Sequence, residues 1–65
     1  MVEPLTEREL EVLRALAAGL SNRAIAQQFS LSLATVKVHL KHIYGKLAVH
    51  SRTQALARAR ELNVL

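Results

Sequence analysis

Small, basic and hydrogen-bonding side chains alternate between positions 34 and 46 with the spacing of a helix face. At about 100° per residue, the centre of that face is formed by Ala34, Val38, Lys41 and Gly45. Residues able to donate hydrogen bonds flank the centre, with Lys37 on one side and Thr35, His39, His42 and Lys46 on the other. The pattern thus combines small residues in the middle with long donors at the edges.

This combination suits a helix that enters the major groove of DNA. Lysine can donate to guanine O6 or N7, valine can contact a thymine methyl group, and small neighbours permit a close approach. An ordinary solvated helix face would explain the lysines, but it would not explain the small residues between them. The pattern therefore favours a groove-reading helix.

The sequence gives little support to a metal site, a catalytic site or a phosphate-binding loop. His39 and His42 stand three residues apart and could share a metal ion, but the chain has no cysteine and no acid near them to complete a ligand shell. The serines are typical of caps and turns, no histidine has an acid partner to activate one, and no glycine-rich phosphate loop is present. We therefore expect no catalytic site, no metal site and no cofactor.

Composition and charge fit a small domain with a polyanionic partner. The 65 residues make one domain, carry a net charge of +4 and include no cysteine. Four of the five acids lie in the first eleven residues, whereas positions 37–60 hold six lysines or arginines and no acid. The absence of cysteine fits a cytoplasmic location, which is expected. No apolar run approaches the ~18 residues of a membrane span, so no membrane partner is expected.

Helical periodicity and cap residues predict an all-α fold of four helices. A capping box of Thr6 and Glu9 opens the first helix, which Gly19 ends, and Ser21 and Ser32 are suited to cap the second and third. The predicted helices cover residues 7–18, 22–29, 33–47 and 52–62, after a linker remnant at 1–4. The second and third would form a helix-turn-helix unit at 22–47, within a single DNA-binding domain of residues 1–65.

The apolar faces of these helices predict one core. The main core residues are Leu10, Leu13, Leu16, Ile25, Phe29, Val36, Leu40, Ile43, Leu47 and Ala55. The same inward faces also carry Val12, Ala17, Ala26, Ala59 and Leu62. Glu9 projects onto the apolar face of the first helix, where we expect its carboxylate to be held by the cap or by a basic partner.

Several strings of residues, spread over nearly the whole chain, match one known pattern. They are Leu-Thr-Glu-Arg-Glu-Leu-Glu-Val-Leu at 5–13, Gly-Leu-Ser-Asn at 19–22 with Ile-Ala at 25–26, Thr-Val-Lys-Val-His-Leu at 35–40, Lys-Leu at 46–47, Val49, Arg52 and Ala55. In register and without gaps, the chain resembles the LuxR-type (GerE-type) helix-turn-helix domain. Residues 2–5 and 43–47 further resemble the C-terminal domain of large ATP-binding transcription regulators related to the maltose regulator.

The resemblance implies the output domain of a bacterial transcription regulator that binds double-stranded operator DNA. Its third helix would read the major groove through base-facing Lys37, Val38 and Lys41. Phosphate or supporting contacts would come from Ser21, Asn22, Thr35, His39, His42, Lys46 and Arg52. The fourth helix commonly forms the homodimer contact, for which the inward face of this helix leaves Leu56 and Arg60 available. RNA polymerase is a further candidate partner.

Ala48 departs from the family pattern, which usually has glycine after the third helix. Glycine suits the left-handed residue that ends many helices. An alanine in that conformation should cost about 1 kcal/mol. We therefore expect a local loss of stability at this position.

Two other interpretations compete with this one. The promoter-reading C-terminal domain of a sigma factor shares the Leu-Thr-x-Arg-Glu opening and an Ile-Ala helix, although Arg52 and Ala55 after Val49 favour the LuxR type. A protein-interaction or membrane-surface module could also use the basic helix. Membrane binding needs a free apolar face, whereas the third helix uses its narrow stripe for the core.

Overall fold

The computed structural model describes residues 4–65, which form α1 (Glu7–Ala17), α2 (Asn22–Gln28), α3 (Leu33–Leu47) and α4 (Arg52–Glu61). No strand occurs among these residues, and the all-α prediction is confirmed. The bounds of α3 are as predicted, whereas α1, α2 and α4 each end one residue earlier than predicted. Of the predicted linker remnant, residues 1–3 lie outside the described part of the chain.

Each helix begins after a hydroxyl side chain. The hydroxyls of Thr6, Ser21, Ser32 and Ser51 each accept a hydrogen bond from the backbone N–H three residues later, at 3.1–3.2 Å. Thr6 completes the predicted capping box, because its own N–H donates to the Glu9 carboxylate at 2.9 Å. These bonds satisfy N–H groups that have no partner within the helix, and so they determine where each helix begins.

Each helix is followed by a left-handed residue with positive φ. These residues are Gly19, Ser30, Ala48 and Asn63, with φ of 91°, 54°, 57° and 59°. After α3, the Ala48 N–H donates to the Gly45 carbonyl at 3.2 Å. The Val49 N–H donates to the Tyr44 carbonyl at 2.9 Å, which completes a Schellman motif. Ala48 therefore adopts the left-handed conformation that the glycine of the family pattern suits.

Ala48→Gly is expected to raise the free energy of unfolding by about 1 kcal/mol. Glycine adopts φ 57° without the clash between Cβ and the next carbonyl, and the exposed Ala48 side chain gives up little packing. In a domain of this size the gain corresponds to a rise in Tm of roughly 4–8 °C, measured by circular dichroism. Ala57→Gly, at an exposed position inside α4, is the control and should lower Tm. A lower Tm for Ala48→Gly would contradict this account.

One aliphatic core joins the four helices. Its buried residues are Val12, Leu13, Ala15, Leu16, Ile25, Ala26, Val36, Leu40, Ile43, Leu47, Ala55 and Ala59. Helix α3 packs against the other three helices through its whole apolar stripe. Phe29 is half-buried at the edge of the core, where the Arg8 guanidinium lies 5.1 Å from the centre of its ring. The core thus fixes which face of α3 stays open to solvent.

Three residues predicted to face inward do not. Leu10 is only half-buried and Ala17 is exposed, because α1 turns Ala15 toward the core instead. Leu62 is 41% exposed, because α4 ends at Glu61 and the chain turns there. Val64, beyond that turn, packs against the core where Leu62 was expected.

Candidate nucleic-acid interface

The face of α3 opposite the core stripe is open to solvent. Val38 is 51% exposed, more than any other large hydrophobic side chain in residues 4–65. The other residues of this face are also exposed, namely Ala34, Lys37, Lys41, His42 and Gly45. We call these six residues the open face. All three residues predicted to face the bases lie on it.

Several of the predicted supporting residues lie at the N-terminal ends of α2 and α3. The Ser21 hydroxyl caps α2, and the Thr35 hydroxyl is 2.8 Å from that of Ser32. Asn22 and His39 are half-buried. Hydroxyls and free N–H groups at a helix N-terminus can donate to phosphate oxygens. Their positions are therefore compatible with supporting contacts, which stay a prediction.

Lys46 has partners within the chain. Its Nζ lies 2.7 Å from Glu9 Oε1 and 3.4 Å from the Pro4 carbonyl oxygen, and its side chain is 19% exposed. Burial alone would raise the pKa of Glu9, but the hydrogen bonds from Lys46 and the Thr6 N–H, together with the Lys46 charge, hold that pKa below its usual value. We expected Glu9 to be held by the cap or by a basic partner. The structure confirms both, because its carboxylate accepts hydrogen bonds from the Thr6 N–H and from Lys46. The phosphate contact of Lys46 stays a prediction, and the structure gives this lysine an ion pair.

Arg52 also bonds within the chain. Its Nη2 donates to the Leu20 carbonyl at 2.8 Å and to the Leu16 carbonyl at 3.2 Å. Both acceptors belong to the end of α1 and the turn that follows it. Arg52 was predicted to contact phosphate or to support such contacts. In the structure its guanidinium joins α4 to the end of α1.

The outer side of α4 carries small and polar side chains. Arg60 is exposed, whereas Leu56 is half-buried and packs against the core, so the two predicted dimer residues differ in availability. Ala57 is exposed and lines a shallow groove together with Val49, His50 and Gln54. A small residue at the centre of this side permits another helix to approach closely.

A family model described as bacterial regulatory proteins, luxR family, matches residues 3–59. The chain belongs to this family. As a luxR-family helix-turn-helix domain, it is a DNA-binding domain of transcription regulators. The LuxR-type resemblance seen in the sequence is confirmed.

Two curated relatives are response regulators. The nitrate/nitrite response regulator protein homolog of Haemophilus influenzae is 52% identical over 54 residues, which cover 83% of this chain and 26% of the relative. The response regulator protein VraR of Staphylococcus aureus is 43% identical over the whole of this chain and 31% of the relative. The luxR-family domain thus spans about a quarter to a third of the length of these relatives. They lend no support to the narrower resemblance to large ATP-binding regulators.

Two solved structures share the fold of this luxR-family domain. The response regulator ChrA of a heme-sensing two-component system gives a TM-score of 0.93 at 48% identity, over 97% of this chain and 31% of that chain. Transcription factor GerE gives a TM-score of 0.87 at 34% identity, over 94% of this chain and 91% of that chain.

None of the helices described within residues 4–65 has both the length and the apolar character that a membrane span requires.

In this luxR-family domain, Glu9→Gln is expected to lower the free energy of unfolding at neutral pH by about 1–3 kcal/mol. Glutamine can keep the capping box, but it removes the charge that faces Lys46. Because folding lowers the pKa of Glu9, its stabilisation is complete above the ordinary glutamate pKa and is lost as the pH falls through the lowered value. Tm measured from about pH 7 to pH 3 should therefore fall less in Glu9→Gln than in the wild type.

Glu11→Gln is the matched control for this experiment. Glu11 is exposed on the same helix, and its replacement by glutamine removes the same charge. Its Tm should follow the wild type across the pH range. Equal pH dependence in the wild type and Glu9→Gln would show that the ion pair contributes nothing to stability.

Proposed function

We propose that this chain binds a specific sequence of double-stranded DNA as the output domain of a bacterial transcription regulator, with α3 in the major groove. One observation carries the proposal. A single helix buries one complete stripe in the core, and its opposite side presents the half-exposed Val38 with the exposed Lys41 and Lys37 to one side of it. A helix of this form is held rigidly by the domain and can place base-reading side chains at a fixed depth.

On DNA, contacts to bases and contacts to phosphates would come from different residues. Lys37 and Lys41 would donate to guanine, and Val38 would contact a thymine methyl group. His42 and His39 at the edge of α3, with Ser21, Asn22 and Thr35 at the helix N-termini, would contact or support contacts to phosphates, which add affinity without sequence preference. Lys46 would support binding mainly by holding α3 against α1, because its ammonium group already has a partner in the chain. Arg52 would hold α4 in position rather than take part in contacts to DNA, because its guanidinium is bound to two backbone carbonyls.

We further propose that two copies pair through α4 on DNA. By helical periodicity, the side of α4 opposite its buried alanines carries Thr53, Ala57 and Arg60, with Leu56 at its edge. A patch this small should leave the free chain monomeric. Pairing would then occur when two copies occupy an operator of two-fold symmetry.

The relatives favour a response regulator as the kind of protein that uses this domain, over the large ATP-binding regulators suggested by the sequence. The regulated promoter would lie on chromosomal DNA, so the site of action would be the cytoplasm. RNA polymerase is a candidate partner at that promoter.

Selection from a random duplex library tests the proposed function. The wild-type chain should enrich a two-fold symmetric sequence, and titrations of that duplex and a scrambled duplex should differ in affinity at every salt concentration. Anionic vesicles at the same ionic strength provide the comparison for a membrane-surface module. Equal affinity for all duplexes, or stronger binding to vesicles than to the selected duplex, would refute the proposal.

A further inference from the structure

Arg52 occupies a position where a positive charge is unfavourable to its own helix. It is the first residue of α4, whose first turn contains no acid, so its charge lies near the positive end of the helix dipole. The guanidinium instead reaches the carbonyl end of α1, where Leu16 belongs to the last turn. A cation at that end is favourable, because the last carbonyls of a helix carry partial negative charge. The side chain thus connects the start of one helix to the end of another.

The two acceptors lie on either side of the turn that leads into α2. Leu16 O also accepts the Gly19 N–H at 3.0 Å, and Leu20 O lies one residue before Ser21, which caps α2. Helices α2 and α4 do not pack against each other in the described chain. The Arg52 bonds are therefore a direct link between α4 and the segment that starts the helix-turn-helix unit.

We infer that Arg52 is a positioning residue that sets the orientation of α4 relative to the helix-turn-helix unit, and thereby the spacing of the two half-sites that a pair of chains can occupy. The inference rests on the proposed pairing through α4. In a two-fold pair, the distance between the two α3 helices depends on how each α4 is oriented relative to its own α3. A guanidinium with two carbonyl acceptors fixes that orientation, whereas one flexible bond would not.

The test separates affinity for one half-site from the gain on pairing. Probes are a duplex with one selected half-site and a panel with two half-sites whose centres are about 8–12 base pairs apart. The wild type should bind one spacing in the panel most tightly. Arg52→Gln and Arg52→Lys should bind the single half-site with an affinity within about twofold of the wild type. The ratio of the affinity for paired half-sites at the preferred spacing to the affinity for a single half-site should fall about tenfold in both variants. The preference among spacings should flatten in both variants.

A phosphate contact would give a different result. Loss of such a contact in Arg52→Gln would weaken the single half-site and reduce the salt slope of log K by about 0.9, and Arg52→Lys would restore both. Arg14→Gln, which removes an exposed arginine from α1, controls for the change in net charge. Either a phosphate-contact result or unchanged pairing in both variants would overturn the inference.

Two further outcomes separate this inference from the proposed function. If the wild type shows no gain on paired half-sites at any spacing, pairing through α4 itself is wrong. If neither Arg52 variant folds or binds the single half-site, Arg52 is required for the fold as a whole, and the assignment to spacing is overturned. Circular dichroism of each variant distinguishes these cases.

Discussion

Val38→Glu abolishes binding to both the selected and the scrambled duplex, while the four helices stay folded. Val38 is 51% exposed at the centre of the open face, so a larger side chain there has room and disturbs no packing. Glutamate is also at least as good a helix former as valine. On DNA, however, its carboxylate would lie at the point of closest approach to the groove. Like charges brought together at an interface cost several kcal/mol, which places binding below detection.

Titration of labelled duplexes and far-UV circular dichroism of the same samples measure this result. Leu65→Glu is the matched control, because Leu65 is 42% exposed, lies beyond α4, and gains the same charge. It should lower affinity only through the small change in net charge. A folded Val38→Glu variant that binds the selected duplex as the wild type does would show that α3 is not the reading helix, and the proposed function would fall with it.

Lys41→Ala and Lys37→Ala each reduce the preference for the selected duplex over the scrambled one by about 1–3 kcal/mol, or roughly 5- to 150-fold. Both lysines are exposed on the open face, and under the proposed function they would donate to guanine O6 and N7. Loss of a base contact lowers specific affinity much more than non-specific affinity. The measured quantity is therefore the ratio of the two dissociation constants, determined for each variant at several salt concentrations.

Arg14→Ala controls for the loss of one positive charge away from α3, since Arg14 is exposed on α1. Its specificity ratio should equal that of the wild type. Should Lys41→Ala weaken both duplexes equally and reduce the salt slope by about 0.9, Lys41 contacts a phosphate and the assignment to bases is wrong.

The helices and the open face could be predicted from the sequence because both depend on local rules. The hydroxyl of Ser32 and the spacing from Val36 to Leu47 are enough to define where α3 begins and which side it buries. At Ala48, comparison with the glycine of the family pattern predicted a local cost, and the structure shows that the alanine adopts the left-handed conformation.

Contacts between distant positions could not be predicted in the same way. Glu9 was expected to need a partner, but nothing in the spacing identified Lys46, 37 residues away. For Arg52, a charged residue at a helix start is compatible with either a phosphate or a carbonyl, and only packing of α4 against the end of α1 decides between them. Periodicity also failed where a helix ends, because Leu62 lies beyond the last turn of α4.

Helix α3 carries a buried stripe and an open face that share no residue. The buried stripe holds the helix in the domain, and no side chain of the open face makes a hydrogen bond within the described residues. Mutations on the open face therefore change what α3 can recognise at little cost in stability, provided that they avoid proline and further glycine. Under the proposed function, this separation makes the domain evolvable, because copies of one scaffold can acquire different DNA preferences one residue at a time without passing through unfolded intermediates.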